Sequence, residues 1–337
     1  MVVFFRSEPC ISVIMAAHNA AATLVEALDS LTGQTVDNFV VHIVDDGSTD
    51  ETWALLQKYA ATDTRFRIYR NATSQGLAAS LNLCLEHVHT PYVARMDADV
   101  IALPRRFEVQ LAFMEKHPEV DVCGTWVNFF GERNGLYTTP IGHDAIAAKL
   151  VFGNPMAHPT IMLRTPVLRA VQYDPTYLRA QDYELWSRMI FDHHLQFANI
   201  PESLLLYRTH ASDFFRPWHA QVLRLNLERM GLKPTDDELT LHVFLSLQLR
   251  AEMQKKYTIS HVALWLNKLF SVVKLFERVS STFVASDMQN LFLFSIYGNT
   301  KTVLSAVMSI QFVKEKKSLF YCRCLKQYFK KILLHKT

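Results

Sequence analysis

The sequence lacks the short motifs that mark several large classes of enzyme. It contains no G-x-G-x-x-G, no P-loop and no G-x-S-x-G, so Rossmann-type dinucleotide binding, P-loop phosphate binding and a nucleophile elbow are not supported. Its five cysteines are an odd number and lie far apart, at positions 10, 84, 123, 322 and 324. No disulfide framework and no four-cysteine zinc site is therefore predicted, and reduced thiols in a cytosolic setting are expected.

The chain also lacks a strong overall charge and a long apolar run. Lys and Arg total 35 against 32 Asp and Glu, a net charge of +3. Residues 314–337 hold eight Lys or Arg and one Glu, which is +7, so the rest of the chain carries 3 − 7 = −4. A mildly acidic body predicts no nucleic-acid partner. The start of the chain lacks the pattern of a signal peptide, and Gly298-Asn299 interrupts the apolar stretch 291–313, so no spanning helix is expected.

The basic tail, residues 314–337, has more than one interpretation. Aromatic and aliphatic residues alternate there with Lys and Arg at roughly helical spacing, as in an amphipathic helix lying on a membrane surface. Anionic lipid would then add about 1 kcal/mol of binding per basic residue. The alternatives are a solvated charged helix and an appendage that packs on the body. We therefore expect a cytoplasmic protein, with peripheral contact at the inner face of the plasma membrane as one hypothesis for the tail.

The first hundred residues contain a regular alternation of strand and helix patterns. Continuous apolar runs are typical of strands buried on both faces, and runs with apolar residues at helical spacing follow each of the first three. The strand-like runs are 11–16, 39–44, 66–69 and 92–95. This order predicts an α/β fold with a doubly wound, mostly parallel sheet. Strand patterns fade beyond residue 212, which predicts a catalytic domain over 1–212 and a mainly helical region over 213–337.

Carboxylates follow two of the predicted strands. Asp97 and Asp99 come directly after the fourth strand, and Asp45 and Asp46 end the second. In an open α/β sheet, ligands bind at the carboxyl ends of the strands. A pair of carboxylates there suits Mg²⁺ or Mn²⁺, although a D-x-D by itself is equally typical of a solvated turn. Asp182, at the start of a predicted helix over 181–190, is a third acidic position and a candidate general base.

At this point the chain resembles family 2 glycosyltransferases of the GT-A fold, in particular bacterial members that build surface polysaccharides. The resemblance covers roughly residues 9 to 212. The motifs that carry it are Ser12-Val13-Ile14-Met15, His18-Asn19, Gln34-Thr35, Val44-Asp45-Asp46-Gly47-Ser48-Thr49-Asp50, Gly76 with Asn82, Asp97-Ala98-Asp99, Asn154-Pro155, His158-Pro159-Thr160, Asp182 with Trp186, and Tyr207-Arg208-x-His210.

The resemblance implies a binding site for the nucleotide of a UDP-sugar donor. Asp46 would contact the uracil, with Asp45 beside it. Ala16 and His18 would line the base pocket. Gly76 would serve the donor site through its backbone.

The resemblance also implies the reaction centre. Asp99 would be a direct ligand of Mn²⁺ or Mg²⁺, and Asp97 would face the ribose or a metal-bound water. Arg208 and His210 would contact the diphosphate or the metal. Asp182 would be the base that takes a proton from the acceptor hydroxyl, and the anomeric centre of the sugar would be inverted. The acceptor would be a glycan or glycolipid.

The sequence departs from the family pattern at three positions. Gln181 precedes Asp182 where an acidic pair is usual, His18 replaces an aromatic residue, and Val100 stands where another Asp is common. No Q-x-x-R-W motif is present, which argues against processive synthesis.

Two alternatives stay open from the sequence alone. One is a nucleotidyltransferase that makes a sugar nucleotide on a similar fold, and the other is a non-catalytic glycan-binding protein.

Overall fold

The computed structural model of the protein describes residues 8–209 and 216–273, together with the single positions 279, 281 and 288. His210 and the basic tail, residues 314–337, lie outside the described residues, as does the predicted domain boundary at 212. Two compact units divide the chain: the first comprises 1–146 with 154–218, and the second comprises 147–153 with 219–337.

A nine-stranded sheet forms the centre of the first unit. Its strands are β1 (Ile11–Ala17), β2 (Phe39–Asp45), β3 (Phe66–Arg70), β4 (Tyr92–Arg95), β5 (Ile101–Ala102), β6 (Val122–Gly131), β7 (Gly135–Tyr137), β8 (Met162–Arg164) and β9 (Phe197–Thr209). Their order is β3-β2-β1-β4-β8-β6-β9-β5, with β7 paired to β6. The strands β3, β2, β1 and β4 run parallel, whereas β5, β7 and β8 pair antiparallel with their neighbours. The predicted α/β fold with a mostly parallel sheet is confirmed.

Helices connect the strands of this unit. They are α1 (Leu24–Thr32), α2 (Thr52–Thr62), α3 (Leu77–Glu86), α4 (Arg106–Lys116), α5 (His143–Lys149), α6 (Thr165–Val171) and α7 (Gln181–Phe191), with a 3₁₀ turn at His158–Thr160. Of these, α5 begins in the first unit and ends in the second. Burial explains the apolar runs of the sequence: Ile11, Val13 and Met15 of β1 are fully buried, as are Leu24 and Leu28 of α1. Each such side chain contributes about 1.5–3 kcal/mol by leaving water.

The second half of the sheet differs from the prediction. Local composition predicts a loop over 129–140 and two short strands over 196–200 and 204–208. The first stretch instead contains the end of β6 and all of β7, and the two predicted strands are one strand, β9. The reason is long-range pairing, since β6 and β9 run side by side from Val122 to Gly131 with irregular register near Thr125. Such pairing overrides a Gly- and Asn-rich local composition. The two-residue β5 and the helix α6 were not predicted.

The second unit is helical, with α8 (Arg216–Arg229), α9 (Asp236–Ser246), α10 (Arg250–Lys256) and α11 (Ile259–Val273). Thr235 begins α9 through a capping box, in which its side chain accepts from the Glu238 N–H and Glu238 accepts from the Thr235 N–H. Buried His242 accepts a hydrogen bond from Trp265 Nε1 at 3.1 Å. Within the described ranges, no helix has the length and apolar character needed to cross a membrane.

Gly124 of β6 permits a close approach by side chains from two other segments. A Cβ at this position would lie 2.3 Å from Asn199 Oδ1 and 2.8 Å from Met156 Cε. Asn199 cannot withdraw easily, because its Nδ2 donates to the Pro140 carbonyl at 2.6 Å.

We predict that Gly124→Ala lowers the free energy of unfolding by about 1–3 kcal/mol, the usual cost of overpacking a core. Urea unfolding of the full chain measures the change. Gly142→Ala is the matched control, because no atom lies within 4 Å of a Cβ built there, and its stability should be unchanged or slightly higher. Equal stability of the two variants would contradict the packing argument.

Candidate active site

The carboxyl ends of the parallel strands bring the predicted donor-site residues to one edge of the sheet. Ala17, at the end of β1, is opposite Asp45, at the end of β2. Ile14 of β1 is opposite Arg95, the last residue of β4. Ala16, His18, Asp45, Asp46, Asp97 and Asp99 therefore all lie at or just beyond this edge. Their roles toward a ligand stay predictions.

The Asp46 carboxylate is engaged by a loop that precedes α3. Its Oδ1 accepts from Asn71 Nδ2 at 2.7 Å and from the Gln75 N–H at 2.8 Å. Its Oδ2 accepts from Ser74 Oγ at 2.7 Å and from the Gly76 N–H at 2.9 Å. Burial alone would raise the pKa of this carboxyl, but the four hydrogen bonds outweigh burial and lower the pKa from 3.8 to about 2. Asp46 therefore organises the loop 71–76, and a base contact would have to share these oxygens.

Gly47 and Gly76 allow this arrangement of the backbone. Gly47 has φ +68°, and a Cβ there would lie 2.7 Å from the backbone nitrogen of Ser74. Gly76 has φ +89° and directs its N–H at Asp46. The expectation that Gly76 acts through its backbone agrees with this geometry, in which the contact is to the Asp46 carboxylate.

His18 is held in one orientation beside Asp46. Its Nδ1 lies 2.8 Å from the Asp46 carbonyl oxygen, and a carbonyl can only accept, so Nδ1 carries the hydrogen. Its Nε2 then accepts from Asn19 Nδ2 at 3.2 Å. Asn19 in turn receives the Thr49 N–H at 2.9 Å. The loops after β1 and β2 are thus cross-linked, and the ring of His18 is fixed at the edge of the sheet.

Asp45 is buried under this loop and is matched by a cation. Its Oδ1 accepts from the Ser48 N–H at 3.2 Å, and Arg70 Nε lies 2.9 Å from its Oδ2. This distance is that of an ion pair, although the alignment is not that of a hydrogen bond. Asp45 therefore stabilises the turn after β2 through its hydrogen bond with Ser48.

Asp97 and Asp99 occupy the turn after β4. The Asp97 carboxylate, 25% exposed, forms an ion pair with the buried Arg95. Thr23 Oγ1 donates to the Ala98 carbonyl at 2.9 Å, which ties this turn to the start of α1. Asp99 is half-buried in the same turn.

These two carboxylates are the candidate ligands of a divalent cation. Within residues 8–209 and 216–273, no group of three or more His, Cys, Asp or Glu side chains is arranged to enclose a metal ion. Two carboxylates nevertheless fit Mg²⁺ or Mn²⁺, because these ions commonly take one or two carboxylates and complete their shells with phosphate and water. The third predicted ligand, His210, lies outside the described residues.

Asp182 occupies the first turn of α7. Its Oδ2 accepts from Asn154 Nδ2 at 2.6 Å, and its Oδ1 accepts from the Tyr183 N–H at 2.8 Å. Burial nevertheless dominates and raises the pKa of this carboxyl, against the effect of the hydrogen bonds and of the Arg95 charge. A carboxylate with a raised pKa is suited to accept a proton.

Asp182 faces a cavity of about 350 Å³. The cavity carries three aromatic rings, one cation and several hydrogen-bonding groups. Its lining comprises Phe129, Arg133, Tyr137, Asn154, Met156, Ala157, His158, Asp182, Tyr207 and Thr209. This volume lies at the lower end of the range of small-ligand sites, and aromatic faces beside polar groups are suited to a sugar. The cavity is therefore large enough to hold a small polar ligand beside Asp182.

Tyr207 of β9 is a site residue to which sequence reasoning gave no role. Its ring packs edge-on against Phe129 with centroids 5.8 Å apart. Burial raises the pKa of its hydroxyl, and the negative charges of Asp97, Asp182 and Asp99 raise it further. The signal in the sequence was its place in Tyr207-Arg208-x-His210, where attention fell on the charged residues.

In this structure Arg208 contacts other side chains of the same chain. Its Nη2 lies 2.5 Å from Glu26 Oε2, and its guanidinium stacks over Phe130 at 4.5 Å from the ring centroid. A contact of Arg208 with a diphosphate would have to use its other N–H groups or displace Glu26. Trp186 is fully buried between His158 and Phe197, so it serves packing.

Comparison with known proteins agrees with the motifs. The profile of Glycosyl transferase family 2 matches residues 12–171. EpsE of Bacillus subtilis is 36% identical over 218 residues, which are 63% of this chain and 77% of EpsE. The amylovoran biosynthesis glycosyltransferase AmsE of Erwinia amylovora is 32% identical over 229 residues, 66% of this chain and 85% of AmsE.

Solved structures show the same fold at low sequence identity. TarS of S. aureus, residues 1–349 in complex with UDP-GlcNAc, superposes with a TM-score of 0.58 at 17% identity and covers 85% of this chain and 90% of its own. The mannosyltransferase PcManGT of Pyrobaculum calidifontis, in complex with GDP-Man and Mn²⁺, superposes with a TM-score of 0.52 at 17% identity. The match covers 87% of this chain and 88% of PcManGT.

We predict that Asp46→Asn lowers the free energy of unfolding by about 1–3 kcal/mol at pH 7, because an amide cannot accept all four hydrogen bonds. The folded-state pKa is depressed from 3.8 to about 2. The stabilisation is therefore present above pH 4 and is lost as the pH falls toward 2. Urea unfolding between pH 7 and pH 2.5 measures both effects. The exposed Asp37→Asn serves as control, and a difference from wild type that does not depend on pH would contradict the argument.

Proposed function

Because the chain belongs to glycosyltransferase family 2, we propose that it transfers a sugar from a UDP-sugar to a hydroxyl of a glycan or glycolipid in bacterial surface-polysaccharide synthesis, with inversion at the sugar and with help from a divalent cation. The observation that carries this proposal is the position of Asp182. It faces a cavity of sugar size, while the donor-side carboxylates stand at the edge of the same sheet.

Asp182 is the proposed general base. Ionised, it takes the proton of the acceptor hydroxyl as that oxygen forms a bond to C1 of the donor sugar. The bond from C1 to the phosphate oxygen breaks, and the electron pair leaves with UDP. Asn154 and the Tyr183 N–H hold the carboxylate by one oxygen each, which fixes its direction. Attack from the face opposite the leaving group inverts the anomeric centre.

The donor side is proposed to bind the nucleotide and its diphosphate. Ala16, His18 and the loop held by Asp46 form one wall of the proposed base pocket. Asp99 and Asp97 would hold Mn²⁺ or Mg²⁺, whose chemistry is to neutralise the diphosphate. The UDP-GlcNAc complex of TarS and the GDP-Man and Mn²⁺ complex of PcManGT support a nucleotide sugar and a metal. The choice of a UDP-sugar over a GDP-sugar as donor rests on the resemblance of the motifs.

The acceptor is proposed to enter the cavity beside Asp182. The role of AmsE in amylovoran biosynthesis supports a polysaccharide context. A lipid-linked acceptor would place the reaction at the cytoplasmic face of a membrane, where residues 314–337 would contact anionic lipid. A nucleotidyltransferase has less support, because Ala16-Ala17-His18-Asn19 is not a Gly-rich loop with cationic residues. A non-catalytic protein has less support because all the carboxylates are present.

We predict that a screen of nucleotide sugars with Mn²⁺ identifies a UDP-sugar that is cleaved faster when acceptor extract is added. Asp182→Asn should lower kcat about 10²–10⁴-fold through loss of the base. Asp99→Ala should lower it about 10²–10³-fold through loss of charge stabilisation. The rate should fall as the pH is lowered toward the raised pKa of Asp182 and level off above it. UDP release measures each effect.

The exposed Asp144→Asn on α5 is the control and should retain wild-type kinetics. Circular dichroism of each variant verifies folding. Full activity of Asp182→Asn and Asp99→Ala would refute the proposed mechanism, and cleavage of a GDP-sugar alone would refute the UDP assignment.

We predict that Tyr207→Phe raises KM for the acceptor about 2–12-fold, the value of one hydrogen bond of about 0.5–1.5 kcal/mol, while KM for the donor changes little. The reason is that Tyr207 lines the cavity with Asp182. Steady-state kinetics with acceptor and donor varied in turn separates the two constants. Tyr59→Phe, whose hydroxyl bonds to Asp29 at the surface, is the control. A rise in KM for the donor alone would place Tyr207 on the other side of the reaction.

A further inference from the structure

Arg95, the last residue of β4, is a buried cation at the centre of the site. It is 1% exposed and among the largest fully buried side chains of the described residues. Its Nη2 forms the ion pair with Asp97 Oδ1. Its Nε and Nη1 are buried and have no hydrogen-bond partner among the described residues. A buried guanidinium with two unused donors is costly, so its presence needs a reason other than packing.

The position of Arg95 is fixed from two sides. The backbone N–H of Arg95 donates to the Ile161 carbonyl at 2.9 Å, and the backbone carbonyl of Arg95 accepts from Arg106 Nη2 at 2.7 Å. Arg106 is fully buried too. Two neighbouring guanidiniums repel each other, and the charge of Asp97 is the nearest compensation. The backbone of Arg95 is therefore anchored by hydrogen bonds on two sides.

Arg95 is also within electrostatic reach of the base side of the site. Its charge acts on Asp182, favouring the ionised carboxylate, and on Tyr173 and Tyr207. Tyr173 in turn hydrogen-bonds His158 Nε2 through its hydroxyl at 2.8 Å. One buried charge thus connects the turn that carries Asp97 and Asp99 with the cavity that contains Asp182.

We propose that Arg95 is a positioning residue, which holds Asp97 by one oxygen in the orientation used for donor binding. This proposal rests on the proposed function, since the donor is the nucleotide sugar. The ion pair uses Oδ1 of Asp97 and so presents Oδ2 to the donor. Because Arg95 is 1% exposed and pairs with Asp97, its proposed effect on the donor passes through Asp97.

The test is a double-mutant cycle in the full chain, with Arg95→Met, Asp97→Asn and the double variant. Arg95→Met keeps the volume but leaves Asp97 without its partner, so the Tm falls; the double variant regains most of the Tm, because no charge is left uncompensated. Misplacement of a binding group by about 1 Å can cost about 10²-fold, so kcat/KM for the donor falls by about that factor in Arg95→Met. The double variant is no worse than the poorer single variant, because both substitutions remove the same interaction.

Further variants separate positioning from general damage to the core. Arg95→Lys keeps the charge and should recover part of the donor kcat/KM. KM for the acceptor should stay near its wild-type value throughout. Arg106→Met, which removes the neighbouring buried guanidinium, should lower the Tm without any rescue by Asp97→Asn. Losses in donor kcat/KM that multiply in the double variant would overturn the proposal.

The stability measurements decide the ion pair even if no sugar nucleotide is turned over. In that case the proposed function fails, whereas rescue of the Tm of Arg95→Met by Asp97→Asn still demonstrates the coupling of the two charges. Absence of that rescue overturns the role of Arg95 whatever the enzyme transfers. The two failures are therefore distinguishable.

Discussion

The structure depends on ion pairs and hydrogen bonds that compensate several neighbouring carboxylates at the edge of the sheet. Like charges repel strongly in a medium of low dielectric constant, and each buried carboxylate needs its own compensation. Asp45 has Arg70, Asp97 has Arg95 and Asp46 has four hydrogen-bond donors. Most of the features around the site, including the positive φ of Gly47 and the course of the loop 71–76, follow from supplying these partners.

The compensation is of two kinds, and Asp46 and Asp182 show the difference. Asp46 has both oxygens saturated, and its pKa is lowered to about 2, so it stays charged and holds a loop. Asp182 has one hydrogen bond to each oxygen, and its burial raises its pKa. Two carboxylates in one site whose environments move their pKa values apart are the usual arrangement for separate structural and acid–base duties.

The sequence predicted the parallel half of the sheet and located the carboxylates at the ends of its strands, because both depend on local sequence. Buried parallel strands are continuous apolar runs, and the carboxylates at their ends, such as Asp46 and Asp99, follow directly in the chain. The β6–β9 half could not be predicted, since its order is set by pairing between residues about 75 apart. For the same reason Tyr207 of β9 had no assigned role.

Arg95 illustrates what a motif conceals. Read along the chain, Arg95-Met96-Asp97-Ala98-Asp99 presents one cation and two carboxylates of similar standing. In the fold, these residues differ in burial. Arg95 and Met96 are both buried, whereas the Asp97 carboxylate is partly exposed. Arg95 ends β4 and Asp97 follows two residues later, so the ion pair forms between near neighbours in the chain. The pair engages one oxygen of Asp97, so this carboxylate has one oxygen fewer to offer a cation than a carboxylate without an ion pair.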